Sequence, residues 1–253
     1  MVPAQTASPL LRLDDLSKSF GQVVVADGLD LAVGTGETLG IVGPNGAGKT
    51  SLFAMISGDL APDSGRVVLE GVDVTAMAPH RRARAGLGRT YQIPRPFEGM
   101  TVFENVLVAA TEAAGLRGRA AADAAMEVLE RAGLLPVANT RGGALTLLQR
   151  KRLEVARGLA AAPKVLLLDE VAGGLTEPEV VELVALVRAV NASGVAIVWI
   201  EHVVHALTAT VDRLACLAGG RLVADGEPSA VLADPTVREL YLGHAVTVEG
   251  DVA

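Results

Sequence analysis

Eight residues constrain this chain more than any other feature: Gly43-Pro44-Asn45-Gly46-Ala47-Gly48-Lys49-Thr50. They match G-x-x-x-x-G-K-[ST], a phosphate-binding loop. Such a loop works in one setting only. A buried strand delivers it, glycines turn consecutive backbone N–H groups inward, and a helix follows with its positive end aimed at the same anions. The flanking sequence supplies both elements. Thr38–Val42 is a short apolar run of buried-strand type, and residues 50–57 read as a helix that stops at Gly58. In this setting Gly43, Pro44, Asn45, Gly46, Ala47, Gly48, Lys49, Thr50 and Ser51 form a nucleotide-binding segment. Lys49 suits the β- and γ-phosphates of ATP, and Thr50 suits Mg²⁺.

The remaining texture tells what surrounds the loop. Alternating segments at residues 10–16 and 23–33 predict an antiparallel pair, and residues 65–69 and 72–74 a hairpin about Glu70-Gly71. Buried-type strands recur at residues 165–168 and 195–200, with a helix between them opened by a Thr176/Glu179 capping box. Residues 213–217 and 221–224 are further strands around Ala218-Gly219-Gly220. From Thr101 to Ala160 apolar residues fall at helical spacing, as at Ala125, Val128, Leu129 and Ala132, and three helices are expected. The predicted fold is α/β: a P-loop NTPase core of the RecA-like kind with a mostly parallel sheet, a small antiparallel β subdomain and an inserted α-helical subdomain. The expected division is a disordered tail at 1–9, a core at 10–90 and 162–225, a helical insert at 91–161, and a C-terminal extension at 226–253.

Bulk properties exclude some functions. The net charge is −7, which argues against nucleic acid as a partner, because phosphate neutralisation needs clustered Lys and Arg. Aromatics make up only 3%, too few for a base-stacking surface. Two basic clusters, residues 80–84 and 150–152, are expected to be solvated helix faces. One cysteine, Cys216, rules out an intrachain disulfide. Residues 1–11 lack the pattern of a secretory signal, and no apolar run approaches the ~20 residues that span a bilayer. A membrane role would therefore run through a partner.

Three further groups fit a nucleotide site. The apolar run at 165–168 ends in Asp169 and Glu170. Asp169 is placed to hold Mg²⁺, and Glu170, one step on, to polarise an attacking water as general base. His202 follows the next apolar strand and suits sensing of the γ-phosphate. Gln92, in Arg89-Thr90-Tyr91-Gln92, offers an amide oxygen to the metal or to water.

The order and spacing of these pieces resemble the ATPase subunits of ABC transporters, from about Leu10 to Gly243. The resemblance implies that Phe20 stacks on adenine, residues 43–50 are Walker A, Gln92 is the Q-loop glutamine, residues 166–170 are Walker B and His202 is the switch histidine. Lys49, Gln92, Glu170 and His202 become the catalytic set, with Thr50, Gln92 and Asp169 at the metal. Finer segments resemble importers of branched-chain and other hydrophobic amino acids: Gly88 to Gln92, Met100 to Val108, Arg152 to Arg157, Ala224-Asp225-Gly226 and Tyr241-Leu242-Gly243. Related branches serve urea, short amides or lipopolysaccharide. The resemblance implies two cassettes closing head to tail around two ATP molecules, the second cassette being a different polypeptide. It also implies integral-membrane permease subunits, an extracytoplasmic substrate-binding protein acting indirectly, and a peripheral position on the cytoplasmic face of the inner membrane.

The pattern breaks in the signature loop, which meets the partner's ATP. The branch has Leu-Ser-Tyr-Gly-Gln, and this chain has Leu145 followed by Thr146, Leu147, Leu148 and Gln149. Leu148 stands where glycine approaches the γ-phosphate, adds bulk and resists positive φ. Val171 replaces the proline that usually follows the catalytic glutamate, and the D-loop reads Gly173-Gly174-Leu175-Thr176. Two readings stand side by side: unequal ATP sites, or a loop whose N–H groups and Thr146 still suffice. A soluble ABC-type ATPase of DNA repair or translation is the competing class. Those proteins normally carry paired cassettes, zinc-binding insertions or coiled coils, which this chain lacks. A non-hydrolysing regulatory subunit is opposed by the retained Lys49, Glu170 and His202.

Overall fold

The computed structural model describes residues 8–245. The expected tail thus falls almost wholly outside the described residues, as does the end of the C-terminal extension.

A six-stranded sheet carries the fold, in the order β10-β9-β3-β8-β7-β6. Its strands are β3 (Thr38–Val42), β6 (Leu87–Arg89), β7 (Val165–Asp169), β8 (Ala196–Ile200), β9 (Arg213–Ala218) and β10 (Arg221–Gly226). The pairs among β6, β7, β8, β3 and β9 are parallel, and only β10 runs antiparallel, to β9. Every residue of β3, β7 and β8 is buried, which is why these strands read as unbroken apolar runs.

Side chains still alternate between the two faces. Leu166, Leu168, Ile197 and Trp199 belong to the core shared with the helical layer. Val165, Leu167, Ala196, Val198 and Ile200 belong to the core on the opposite face. That second core takes in α1 (Lys49–Ser57), through Leu52, Phe53, Met55 and Ile56. It also takes in the inner face of an antiparallel sheet ordered β2-β1-β4-β5. Those strands are β1 (Leu11–Phe20), β2 (Val23–Val33), β4 (Ser64–Leu69) and β5 (Val72–Asp73). Glu70 and Gly71 close β4–β5 with φ of 49° and 76°, the doubly positive turn that matches strand twist.

The helical insert is α3 (Val102–Glu112), α4 (Gly118–Arg131) and α5 (Leu147–Ala160), three helices as expected. A capping box of Thr101 and Glu104 starts α3. Asn105, fully buried, bonds the backbone of Phe97, Met100 and Thr101 and so shapes the approach to the insert. α6 (Glu177–Ala192) opens where expected, with Glu179 accepting from Thr176 N and Oγ1. The sequence does not reveal β6, α2 (Pro79–Arg84), α7 (Val204–Thr208), α8 (Pro228–Ala233) or α9 (Pro235–Ala245). All but α9 are too short for a period to register. Among the described residues no helix is long and apolar enough to cross a membrane.

His80, Arg81 and Arg84 are exposed, as a solvated face requires, but the reading of the two basic clusters is corrected at one residue in each. Arg82 of α2 is 1% exposed. Its guanidinium donates to Met55 O and Ile56 O at 2.7 Å each, to Thr75 O at 2.6 Å and to Met77 O at 3.0 Å. Two of these are carbonyls in the last turn of α1, which has no basic residue of its own there. Lys151, in the other cluster, is 3% exposed. Removing Arg82 strands several buried carbonyls at once. Arg82→Met is expected to lower the unfolding free energy by about 2–4 kcal/mol, the scale of losing charge-assisted bonds and leaving acceptors unmet. Urea denaturation checks this: the midpoint should fall with the slope unchanged.

Candidate nucleotide site

The carboxyl ends of β3, β7 and β8 lie side by side, where open α/β sheets bind ligands. Each ends in chemistry: the phosphate loop after β3, Asp169 and Glu170 at β7, and Glu201 and His202 after β8.

Two glycines of the loop are dictated by close approach. A Cβ on Gly43, at φ 153°, would lie 2.0 Å from the carbonyl oxygen of Leu217. One on Gly48, at φ 100°, would lie 2.1 Å from that of Val25. Gly48 is the N-cap of α1, and no acidic residue in the first turn offsets the positive helix end. The Lys49 ammonium, largely buried, donates to Gly43 O at 2.7 Å and Pro44 O at 2.9 Å. Burial lowers its pKa, against the pull of Glu170, Cys216 and Asp169. Loop residues 45–51, with the hydroxyls of Thr50 and Ser51, line a cleft of about 420 Å³ together with Gln92, Glu170, Val23 and Val25.

Phe20 is not among these lining residues. It is half exposed on β1, and the Lys18 ammonium lies 5.5 Å from its ring centroid. Val23 and Val25, which do line the cleft, were not singled out from the sequence. Alternating valines at a strand end carry no mark of a ligand.

Asp169 is buried, and its two oxygens differ. Oδ2 accepts from Arg89 at 3.2 Å. Oδ1 is buried with no hydrogen-bond partner among the described residues. Burial raises its pKa, while the Arg89 guanidinium opposes that rise. Arg89 also binds Asp59 and Ser57 Oγ, both at 2.9 Å, which fixes the fork against Asp169.

Glu170 gathers the other predicted groups. Its Oε1 lies 2.7 Å from His202 Nε2, and its Oε2 accepts from Gln92 Nε2 at 2.5 Å. Its backbone is left-handed at φ 48°, a conformation that disfavours any residue but glycine. The carboxyl of Glu201 is nearly inaccessible and accepts from Ala172 N at 2.5 Å and His202 N at 3.2 Å. It thereby joins the two segments that follow β7 and β8. Burial raises its pKa, partly offset by these bonds. A glutamate at a strand end gives no sequence sign of such a role.

Thr146, Leu147, Leu148 and Gln149 lie away from this cleft, at the start of α5. Thr146 is the N-cap, in a reciprocal box with Gln149. Leu147 and Leu148 occupy the first helical turn, and neither has positive φ. The expectation that Leu148 resists a required positive φ is therefore corrected: the backbone here asks for none. Its bulk remains. Leu147 Cδ2 reaches to 3.3 Å from the Cβ that Gly174 would carry, so the start of α5 touches the loop that follows β7. Gly142 and Gly143 form a separate 3₁₀ turn ahead of α5.

The family described as ABC transporter matches residues 26–173, and the one described as branched-chain amino acid ATP-binding cassette transporter matches residues 221–247. The lipopolysaccharide export system ATP-binding protein LptB of Acidithiobacillus ferridurans is 36% identical over 236 residues, covering 93% of this chain and 98% of the relative. The high-affinity branched-chain amino acid transport ATP-binding protein BraF of Pseudomonas aeruginosa is 33% identical over 252 residues, covering 94% and 99%. A solved nucleotide-free ATP-binding cassette from an ABC transporter superposes with a TM-score of 0.84 at 30% identity, covering 92% of this chain and 98% of that one. The ADP conformation of the cassette MJ1267 gives 0.85 at 29% identity, covering 93% and 99%. A phosphate loop, an acid-tipped neighbouring strand and a helical insert in this arrangement, matched over more than half the chain, place it in the ABC transporter family, as an ATP-hydrolysing cassette subunit that works with membrane permease components.

Proposed function

We propose that this cassette powers uptake of branched-chain or other hydrophobic amino acids, and that Glu170 is its general base. The observation that carries the catalytic part is the Glu170 carboxylate, held between Gln92 and His202 at the mouth of the phosphate-loop cleft. An ionised carboxylate has lone pairs beyond these two bonds, and one of them can take the proton of an attacking water. Lys49 would exchange its two loop carbonyls for the β- and γ-phosphate oxygens. The backbone amides of residues 43–51 and the positive end of α1 would hold the rest of the phosphate chain. Phe20 would stack on adenine, beside Val23 and Val25. His202, now on Glu170, would be shared with the transferred phosphate.

The residues fit Mg²⁺. Asp169 Oδ1 is buried and unmet. The Gln92 amide nitrogen is occupied by Glu170, which leaves the amide oxygen as its ligand atom, and Thr50 supplies a hydroxyl beside the loop. One carboxylate, one amide oxygen and one hydroxyl suit an ion that takes one or two carboxylates and draws its other ligands from water and phosphate. When bound, it would neutralise charge developing on the phosphate oxygens.

The substrate reading rests on the C-terminal match at residues 221–247 and the similarity to BraF. The comparable similarity to LptB supports a second reading, lipopolysaccharide export. We infer a peripheral position at the cytoplasmic face of the membrane, a second cassette of different sequence, and an extracytoplasmic binding protein. Exposed Ile93 and Phe97, next to Gln92, suit contact with a permease. In proteoliposomes carrying the assembled transporter, a binding protein loaded with leucine should raise ATPase several-fold and lipopolysaccharide should not. The reverse pattern moves the assignment to export.

Two variants test the chemistry. Lys49→Ala should weaken ATP binding. Glu170→Gln should keep ATP binding and lower turnover by ~10²–10⁴, the range for a lost general base. Equal turnover in wild type and Glu170→Gln would remove Glu170 from that role.

The signature loop yields a separate prediction. If Leu148 crowds the partner's nucleotide, Leu148→Gly should raise ATPase at the partner's site in the assembled transporter. Lys49→Ala in this chain should then abolish transport more fully than the matching change in the partner. No gain from Leu148→Gly, with equal losses in the two lysine variants, would mean that the sites are equivalent.

A further inference from the structure

The signature helix α5 reaches the catalytic centre of its own chain through one side chain. Lys151, buried on α5 five residues after Thr146, donates from Nζ to Gln92 O at 2.9 Å and to Glu170 O at 3.1 Å. The same two residues meet through their side chains, Gln92 Nε2 on Glu170 Oε2. A closed ring results: ammonium, Gln92 backbone, Gln92 amide, Glu170 carboxylate, Glu170 backbone, ammonium. Its three residues come from three different segments, namely α5, the stretch after β6, and the end of β7.

Three features argue that the ring sets geometry rather than filling space. First, an ammonium is a costly core filler, and here it donates to the carbonyls of Gln92 and Glu170. Second, Glu170 is held left-handed, so its carbonyl and side chain leave the strand in a direction that a relaxed β7 would not give. Lys151 binds that carbonyl, alongside Gly173 N at 3.3 Å. Third, burial lowers the Lys151 pKa, and the carboxylates of Glu201, Glu170, Glu154 and Asp169 oppose that fall and favour its ammonium.

We propose that Lys151 is a positioning residue: it fixes the backbones of Gln92 and Glu170 so that their side chains meet, and it ties that geometry to the orientation of α5. A tilt of α5 against the sheet moves Nζ away from one or both carbonyls. The amide–carboxylate contact then loosens, and the general base loses its aim. Hydrolysis in this chain's own site thus senses the helix whose first turn carries Thr146 to Gln149. The proposal rests on the ATPase chemistry alone and holds whichever solute the permease moves.

The ATPase of the assembled cassette pair, measured without transported solute, tests it, so a failure of the transport reading leaves the test intact. Lys151→Met should lower kcat tenfold or more, with the Kd for ADP and the Tm nearly unchanged. Lys151→Arg and Lys151→Gln keep N–H donors at that end and should each turn over at least threefold faster than Lys151→Met. Gln92→Ala added to Lys151→Met should cost less than twofold beyond the slower single variant, because both break one ring. Equal rates in all three Lys151 variants overturn the proposal, as does a Lys151→Met rate within twofold of wild type. So do independent, multiplying losses in the double variant. A parallel fall of kcat, ADP affinity and Tm in Lys151→Met also overturns it, in favour of a packing role.

Discussion

Charge taken out of water at the carboxyl edge of the central sheet is the constraint on which the rest depends. Lys49, Lys151, Asp169 and Glu201 are all buried there, on or next to strands with no exposed residue. An unpaired ion in such a place costs several kcal/mol, about 3–5 when one partner is removed. Each is met by a fixed group: loop carbonyls for Lys49, the Gln92 and Glu170 carbonyls for Lys151, the Arg89 fork for Asp169, and backbone amides for Glu201. The need to satisfy these charges orders loops that have little apolar material of their own. It also leaves the site preorganised, with dipoles already aimed before a nucleotide arrives.

The end of β7 shows how that order is used. A left-handed residue other than glycine costs about 1–2 kcal/mol, and Glu170 bears it because its surroundings over-determine its place. Its N–H bonds Ile200 O at 2.9 Å, its carbonyl is doubly met, and both carboxylate oxygens are held. Val171 and Ala172 then bury completely, so the chain dives back into the core rather than leaving along the strand. Strain at this point turns a strand terminus into a directed side chain.

What the sequence disclosed follows from how local each cause is. The phosphate loop was legible because its glycines answer to contacts within a few ångströms, and Asp169, Glu170 and His202 because strand ends next to such a loop have few other uses. The buried strands were legible from their length and apolarity. β6 was not, since Leu87-Gly88-Arg89 is a three-residue edge with no period to detect. Arg82 and Lys151 were hidden for a different reason. A long cationic side chain in a basic run looks solvated until the fold shows which carbonyls it can reach. Glu201 was hidden because its partners, Ala172 and His202, adjoin it only after β7 and β8 pair.

Leu148 shows how a backbone changes the meaning of a substitution. Read as a sequence, it removes glycine from a loop that needs freedom. In the fold, residues 147 and 148 begin a helix, where φ is ordinary for leucine. The Thr146–Gln149 box occupies the amides of Thr146 and Gln149. The amides of Leu147 and Leu148 are first-turn donors that no helical carbonyl can meet, whatever side chains they bear. The donors of this turn are therefore the same with leucine as with glycine. What changes is access: a branched side chain now stands on the second residue of the turn, while Leu147 leans on the D-loop at Gly174. On the proposed reading of this turn as a signature loop, the side chain at 148 and not its backbone governs the approach to those two N–H groups.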